Sequence, residues 1–335
     1  MAVTIWDIAK YLDLSVSTVS RALNGYNDVA PKTRERVFEA ARELNYYPSA
    51  AARDLRRRHT SRVGFSYGFT TTDIGEFAAR LINGAVAVAE KADYNVMLYP
   101  LTGNQIEKLT RICQEREVEG LLLMGGEYLT ESVELLQKKQ LPFVVLNRWF
   151  DQSGVSFVTA DHHQATMEAT RHLIELGHTR IAYVGQSALG KLHSERIASF
   201  WQALREANLE VDEMLVMSAG TDLGAGYQVM RTLLELSNPP TAVLAIHDPL
   251  AIECLQSAID AGLKVPDDVA IIGSDNLRES HTTDPPLTTI HPPLAEIGRA
   301  AMEHLLVQIK DDTLPPIRLK LPARLIVRQS TIGKR

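Results

Sequence analysis

The sequence predicts an N-terminal all-α unit followed by a two-lobed α/β core of two parallel sheets flanked by helices. Three observations carry that expectation. The first sixty residues hold three short amphipathic stretches, two of them preceded by helix-capping residues and the third by a proline start. From Arg62 onward, short apolar runs of strand type alternate with stretches of helical period, in two successive series. Charge divides at the same place: residues 1–60 carry ten Lys/Arg against seven Asp/Glu, and the remainder carries 25 against 34. The length of 335 residues with 45% hydrophobic content fits two or three domains with full cores. A net charge of −6 speaks against a nucleic-acid binder, whereas the basic surplus confined to the first sixty residues speaks for one. A solvated charged helix face is the plainer source of such a run, so the motif has to decide.

Thr4 caps the first helix, with Asp7 three residues on in an acidic version of the capping box, and Ile5, Ile8, Ala9 and Leu12 share one face. Ser15 caps the second helix, whose Val19, Ala22 and Leu23 point inward. Pro31 suits the first position of the third, where its missing N–H costs nothing; Val37, Phe38, Ala41 and Leu44 form that helix's apolar stripe. Three short helices closing on one small core make a helix-turn-helix unit. The second helix of such a unit enters the major groove with its N-terminal end first. Val16, Ser17 and Arg21 then meet base edges: Arg21 pairs bidentately with guanine, Ser17 donates or accepts, and Val16 packs on a thymine methyl. Thr4, Asn24, Thr33 and Tyr46 are placed to hydrogen-bond phosphates.

Thr4-Ile-Trp-Asp-Ile-Ala, Ser15-Val-Ser-Thr-Val-Ser-Arg-Ala-Leu-Asn24, Val29-Ala-Pro-Lys-Thr-Arg34 and Leu44-Asn-Tyr-Tyr-Pro48 resemble the lactose-repressor/galactose-repressor family of bacterial transcription regulators. The match runs in register without gaps through the first sixty residues. It departs at Asp13, where family members usually have Gly, and at Ala30, where they have Ser and a helix cap worth about 1 kcal/mol. Ser49 to Arg57 resembles the family's hinge helix. Nine residues fall short of the roughly 12–15 that an isolated helix needs, so the resemblance implies ordering on DNA beside a twin from a second subunit. Ala52, Arg53, Leu55 and Arg56 would meet the minor groove, with Leu55 as the apolar wedge and the arginines on phosphates. A disordered basic linker in the free protein is the alternative, and both hold in different states.

In the body, Val63–Tyr67, Tyr94–Tyr99, Gly120–Met124 and Phe143–Leu146 form the first strand series, and Arg180–Gly185, Met214–Met217, Ala242–Ile246 and Val269–Gly273 the second. Two such halves suggest hinged lobes with a ligand in the cleft, beyond the carboxyl ends of the strands. Leu173-Ile-Glu-Leu-Gly-His178, Arg196 with Phe200 and Ala203-Leu204, and Val265 to Asp275 resemble the family's effector-binding core, which looks like a periplasmic sugar-binding protein. The resemblance covers essentially the whole chain. It implies a helix-turn-helix domain at 1–48, a hinge and linker at 49–60, and a periplasmic-binding-protein-like core at 61–335. Within the core the expected N-lobe is 61–160 plus 291–321, and the expected C-lobe is 161–290 plus 322–335.

Carried over one residue at a time, Arg196 and Asp275 match the family's pair that hydrogen-bonds ligand hydroxyls, and a charged pair in a cleft suits a polyhydroxylated sugar. His247 stands where many members have Asn, and Asn147 where many have Asp. Asp222 and the Thr70–Ile74 loop, with Thr72, are placed at the cleft mouth. Tyr67, Phe69, Trp149 or Phe150 could stack on a sugar ring, although core packing is the commoner role of any single aromatic.

Other signals are weaker. Gly185-Gln-Ser-Ala-Leu-Gly-Lys191 spells most of a phosphate-binding loop, but Leu192 stands where magnesium coordination needs Ser or Thr. His162, His163, His281 and His291 lack zinc-ligand spacing and read as surface or core histidines. Cys113 and Cys254 lie far apart, which fits a reducing compartment rather than a disulfide framework. No apolar run reaches the roughly 18 residues of a membrane span, and no signal peptide is expected. The expectation is therefore a cytoplasmic, homodimeric transcriptional regulator with no cofactor and no enzymatic activity. It would bind a pseudo-palindromic double-stranded DNA operator as a repressor, under control of a mono- or oligosaccharide. The alternative is a purine-type corepressed repressor, or a global catabolite regulator with a protein partner.

Overall fold

The computed structural model describes residues 3–26, 28–46, 60–68, 75–101, 103–125, 129–186, 191–311 and 313–333. The chain divides into two compact units, residues 1–60 and 61–335.

The first unit packs α1 (Ile5–Leu12), α2 (Val16–Leu23) and α3 (Pro31–Glu43) around Ile8, Ala9, Val19, Ala22, Val29, Val37, Ala40 and Ala41. Ser15 caps α2 by accepting the Thr18 N–H at 3.0 Å. At α1 the Asp7 carboxylate accepts both the Thr4 N–H and the Thr4 hydroxyl, each at 2.7 Å, so that hydroxyl is turned toward the carboxylate. Ala30 offers α3 no side-chain cap. Each helix closes with a residue in the left-handed region, Asp13 (φ 54°), Gly25 (φ 72°) and Asn45 (φ 51°). In each the following N–H returns to a carbonyl five residues back: Leu14 to Ala9, Tyr26 to Arg21 and Tyr46 to Ala41. Asp13 thus does the work of a glycine, as its short polar side chain allows. Phe38 differs from its expected inward stripe: it is 40% exposed, and Ala40 takes the inward position. The step from Val37 to Ala40 and Ala41 keeps the helical period, and a ring at 38 falls off that face.

The second unit carries two six-stranded sheets. The first is ordered β11-β5-β4-β3-β1-β2, with β1 at Arg62–Gly68, β2 at Asn95–Pro100, β3 at Gly120–Gly125, β4 at Phe143–Leu146, β5 at Phe157–Ala160 and β11 at Arg318–Leu321. All its pairings are parallel. On one face lie α4 (Glu76–Lys91) and α11 (Leu294–Lys310), which bury Leu81, Ala85, Ile297, Ala301 and Leu305. On the other lie α5 (Gln105–Glu115) and α6 (Leu129–Lys139).

The second sheet is ordered β12-β10-β9-β8-β6-β7: β6 is Ile181–Gly185, β7 Val216–Ser218, β8 Ala242–Ala245, β9 Ala270–Ser274, β10 Thr288–His291 and β12 Arg324–Ile326. It is flanked by α7 (His162–Glu175), α8 (Lys191–Glu206), α9 (Ala225–Leu234) and α10 (Asp248–Asp260). Its pairings are parallel except β12, which runs antiparallel to β10. β3, β4, β6, β8 and β9 are buried along their whole length, the pattern of strands covered by helices on both faces. The chain leaves the first sheet after Ala160, returns to it after His291, and leaves again between Leu321 and Arg324.

Candidate nucleic-acid interface and ligand cleft

In the first unit, Ser17 and Arg21 are exposed on α2, and Val16 is half-buried against the small core. Ser17 shares its hydroxyl with the Ser15 cap at 2.8 Å. Thr4 and Asn24 are exposed, whereas Thr33 and Tyr46 are half-buried. The Asn24 amide donates to the Ser20 carbonyl. Arg21 is engaged already: its Nη2 donates to the Asp28 carboxylate, and its Cζ lies 5.3 Å from the Tyr26 ring centroid. Ala52, Arg53, Leu55 and Arg56 of the hinge lie outside the described residues.

In the second unit the polar groups collect where strands of both sheets end. Asn147 follows β4 with φ 54°, and its Oδ1 takes the His162 Nε2–H at 3.1 Å. His162 opens α7, and its Nδ1 accepts from Arg196 Nη2 at 2.8 Å. Arg196, on α8, donates its Nη1 to the Ile246 carbonyl just past β8. A hydrogen-bonded chain thus runs from the carboxyl end of one sheet to the carboxyl end of the other. Its geometry fixes the imidazole tautomer, because Nδ1 must accept from a guanidinium and Nε2 must therefore donate. Burial, then the charges of Arg196 and Arg148, hold His162 well below its ordinary pKa, so the ring is neutral. Burial and the same Arg196 lower the nearby Arg148 to about 10. The Nε of Arg196 is buried with no hydrogen-bond partner among the described residues.

His247 caps α10: its Nδ1 accepts the Leu250 N–H at 3.3 Å, which leaves Nε2–H as its donor. Burial, then Arg196, depress its pKa to about 4. Asp248 is wholly buried and ties that helix to the loop after β9, accepting the Leu277 N–H at 2.7 Å and the Thr289 hydroxyl. Burial raises it to about 7 against those bonds. Asp275 follows β9 with φ 107°; burial first, then Asp248, push its carboxyl well above the carboxylate range, with Arg196 pulling the other way. Arg196, Asn147, His247 and Asp275 thus belong to one cluster, with His162 as the member that sequence reasoning left out. The one available signal was topological: residues 147 and 162 follow adjacent strands of one sheet, β4 and β5.

Tyr67 belongs to the first sheet's hydrophobic core at 6% exposure, and Trp149 and Phe150 pack against the α5–α6 core. Asp222 is exposed on the loop between β7 and α9. Phe69 and the Thr70–Ile74 loop with Thr72 lie outside the described residues, as do residues 187–190 of the glycine-rich stretch. Gly185 abuts His193, whose ring occupies the place of any added Cβ.

A three-helix unit with an exposed second helix, joined in sequence to a two-lobed core with a polar cluster at the strand ends, defines the class of helix-turn-helix regulators that carry a ligand-binding domain. The chain belongs to the lacI family of bacterial regulatory proteins: residues 4–49 match the model of that family, and residues 170–331 match a periplasmic binding protein-like domain. It is 33% identical over 335 residues to catabolite control protein A of Priestia megaterium, covering 99% of this chain and 100% of that one. It is also 33% identical over 311 residues to the HTH-type transcriptional repressor PurR of Aliivibrio salmonicida, covering 92% of each. Among solved structures, a complex of the transcriptional regulator CelR with cellobiose is 29% identical, with a TM-score of 0.77 over 98% of this chain and 99% of that one. The lac repressor dimer bound to operator and the anti-inducer ONPF superposes with a TM-score of 0.86 over 99% of this chain and 100% of that one; at 24% identity it bears on the fold alone. The chain is accordingly a DNA-binding transcriptional regulator with an effector-binding core. Among the described residues, no helix is long and apolar enough to cross a membrane.

Proposed function

We propose that the protein is a cytoplasmic, dimeric repressor of a pseudo-palindromic operator, controlled by a mono- or oligosaccharide held between the lobes. Arg21 and Ser17 read bases, and Val16 packs against a base edge. Thr4, Asn24, Thr33 and Tyr46 hold phosphates, while Arg53, Leu55, Arg56 and Ala52 engage the minor groove. Two such units on one face of the duplex fit half-sites about one helical turn apart. Met97 and Leu98, 41% and 42% exposed on the edge strand β2, offer apolar surface for a second copy.

The observation that carries the effector reading is the unpartnered Nε of buried Arg196, set beside the Asp275 carboxyl, which burial shifts toward its neutral form. The carboxyl accepts, the guanidinium donates, and His247 contributes Nε2–H. That set satisfies vicinal hydroxyls without requiring a charged ligand. A sugar that binds one lobe arrangement more tightly than the other shifts the equilibrium between them, and with it operator affinity. Asn147, Asp222, Tyr67 and Thr72 are assigned to the rim and walls of the same site.

Salt and ligand titrations test the two halves separately. Operator affinity should fall steeply with salt, and Arg21→Ala should weaken it by about 1–3 kcal/mol. Affinity that is insensitive to salt, or unchanged by Arg21→Ala, sinks the DNA reading. A cognate sugar at a hundred times its Kd adds about 2.7 kcal/mol to stability, a rise in Tm of a few degrees. A rise with hypoxanthine but with no sugar would instead favour a purine-responsive repressor, a reading supported by the likeness to PurR.

A further inference from the structure

We propose that Asp28 is a specificity-determining residue for DNA reading, which positions Arg21 and withholds it from phosphates until the right base is met. This rests on the assignment of Arg21 as a base contact. The arrangement follows from how α2 ends. Leu23-Asn24-Gly25 closes the helix with Gly25 at φ 72°, the Gly25 N–H on Ala22 O and the Tyr26 N–H on Arg21 O, both at 3.1 Å. In that closure the residue after the glycine normally packs an apolar side chain back on the residue whose carbonyl it caps. Here those two positions are Tyr26 and Arg21, and the contact becomes a guanidinium over a ring at 5.3 Å.

The loop is then fixed. The Tyr26 carbonyl accepts from Arg34 Nη2 at 2.7 Å and from the Val29 N–H at 3.3 Å, and Val29 is buried in the small core. Asp28, between these anchors, presents its carboxylate to Arg21 Nη2.

Two consequences follow for binding. First, the ring and the carboxylate restrict a long side chain before DNA arrives, so less rotamer entropy is lost when it reaches a base. Asp28 takes one N–H of the fork and leaves others for the parallel pair that guanine O6 and N7 accept. Second, at a wrong base Arg21 keeps its partner and does not become a general phosphate contact. The carboxylate, half-exposed beside the reading helix, also repels the backbone. Asp28 therefore lowers affinity for arbitrary duplex and widens the gap between right and wrong sites.

The test uses the full chain and duplex libraries randomised over two half-sites, selected in parallel by wild type, Arg21→Ala, Asp28→Asn and Asp28→Glu. Asp28 is about half exposed, so Asn should leave the fold intact, and an unchanged Tm verifies it. Wild type should prefer G·C at one position in each half-site, and Arg21→Ala should flatten that position alone. Asp28→Asn should reduce the preference there at least about fivefold. It should also bind unrelated duplex more tightly, with a salt slope steeper by about one. Asp28→Glu should recover part of the preference. If Arg21→Ala flattens a position that Asp28→Asn leaves intact, Asp28 has no such role and the Arg21 assignment stands. If neither variant alters any position, the base contact itself is misassigned and the proposal falls with it.

Discussion

His247 does two things with one ring. Its Nδ1 caps α10, so the ring must stay neutral, and burial together with Arg196 depresses its pKa to about 4 from an ordinary 6.5. Between those values the unfolded chain binds a proton that the native chain refuses. Stability present above about pH 6.5 is therefore lost as pH falls toward 4. Asp248, raised from 3.8 to about 7, acts with the opposite sign: the native chain holds the proton, and its contribution is lost as pH rises through 7. His247→Asn separates the two, since Asn caps helices as well as any residue and does not titrate. The urea midpoint of the variant should fall less than that of wild type between pH 7 and about 5. Equal falls would mean that His247 titrates normally. Polar roles of this kind were only partly legible in the sequence. The helix starts signalled by Thr4, Ser15 and Pro31 are local and follow from neighbouring residues. The His162 bridge joins residues 15 and 34 positions apart, and no local pattern marks which histidine of the pair 162–163 turns inward.

At the scale of elements, the wholly apolar runs were legible and the mixed strands were not. Phe143–Leu146 is a strand over the whole expected run, whereas β5, β10 and β11, equally four residues long, carry polar residues among the apolar ones and read as connections. The expected strand at Met214–Met217 is shortened to Val216–Ser218. Asp212 accepts the Met214 N–H at 2.9 Å and holds Glu213–Leu215 in a 3-10 turn. The last strand, Arg324–Ile326, runs antiparallel to β10. The tightest packing was also invisible. Gly84 of α4 and Gly298 of α11 let the two helices meet backbone to backbone: an added Cβ would strike the Ala295 carbonyl from Gly84 and the Leu81 carbonyl from Gly298. In an open helix Gly→Ala stabilises by roughly 1 kcal/mol. Here the obstacle is backbone, which cannot rotate away, so Gly298→Ala should destabilise by about 1–3 kcal/mol. Chemical denaturation reads the sign directly, and a stabilised variant would mean that the helices are not held this closely.

At the scale of the molecule, the two lobes are tied by more than their three chain crossings. Lys320 of β11 donates to Glu195 of α8 at 3.0 Å, and Asn147 meets His162. The third tie is the most consequential. Arg80, in α4, donates to the carbonyls of Asn276 at 2.9 Å and Asp275 at 3.4 Å, and also to Glu76, whose other oxygen accepts the Arg278 N–H at 2.7 Å. Burial opposes ionisation of Glu76, yet these bonds outweigh it and hold its carboxyl below the ordinary value. The far side of the same loop is held by Asp248 on Leu277 and by Arg328 on Asn276. One segment thus carries the proposed ligand residue Asp275, the tie to the opposite lobe, and a brace to the helix that His247 caps. A ligand that moves Asp275 pulls on Arg80 and Glu76 directly. Arg80→Met keeps the apolar stem and removes the donors. With charge-assisted bonds contributing about 1.5–3 kcal/mol, the equilibrium between lobe arrangements should shift about tenfold or more toward separation. Small-angle scattering of the variant should give a larger radius of gyration without ligand. Any sugar that raises the wild-type Tm should bind the variant more weakly, since part of its binding energy goes into closing the lobes. An unchanged radius together with unchanged affinity would show that the lobes are set by their chain crossings alone, and that the Glu76–Arg80 contact is incidental to how ligand binding reaches the rest of the chain.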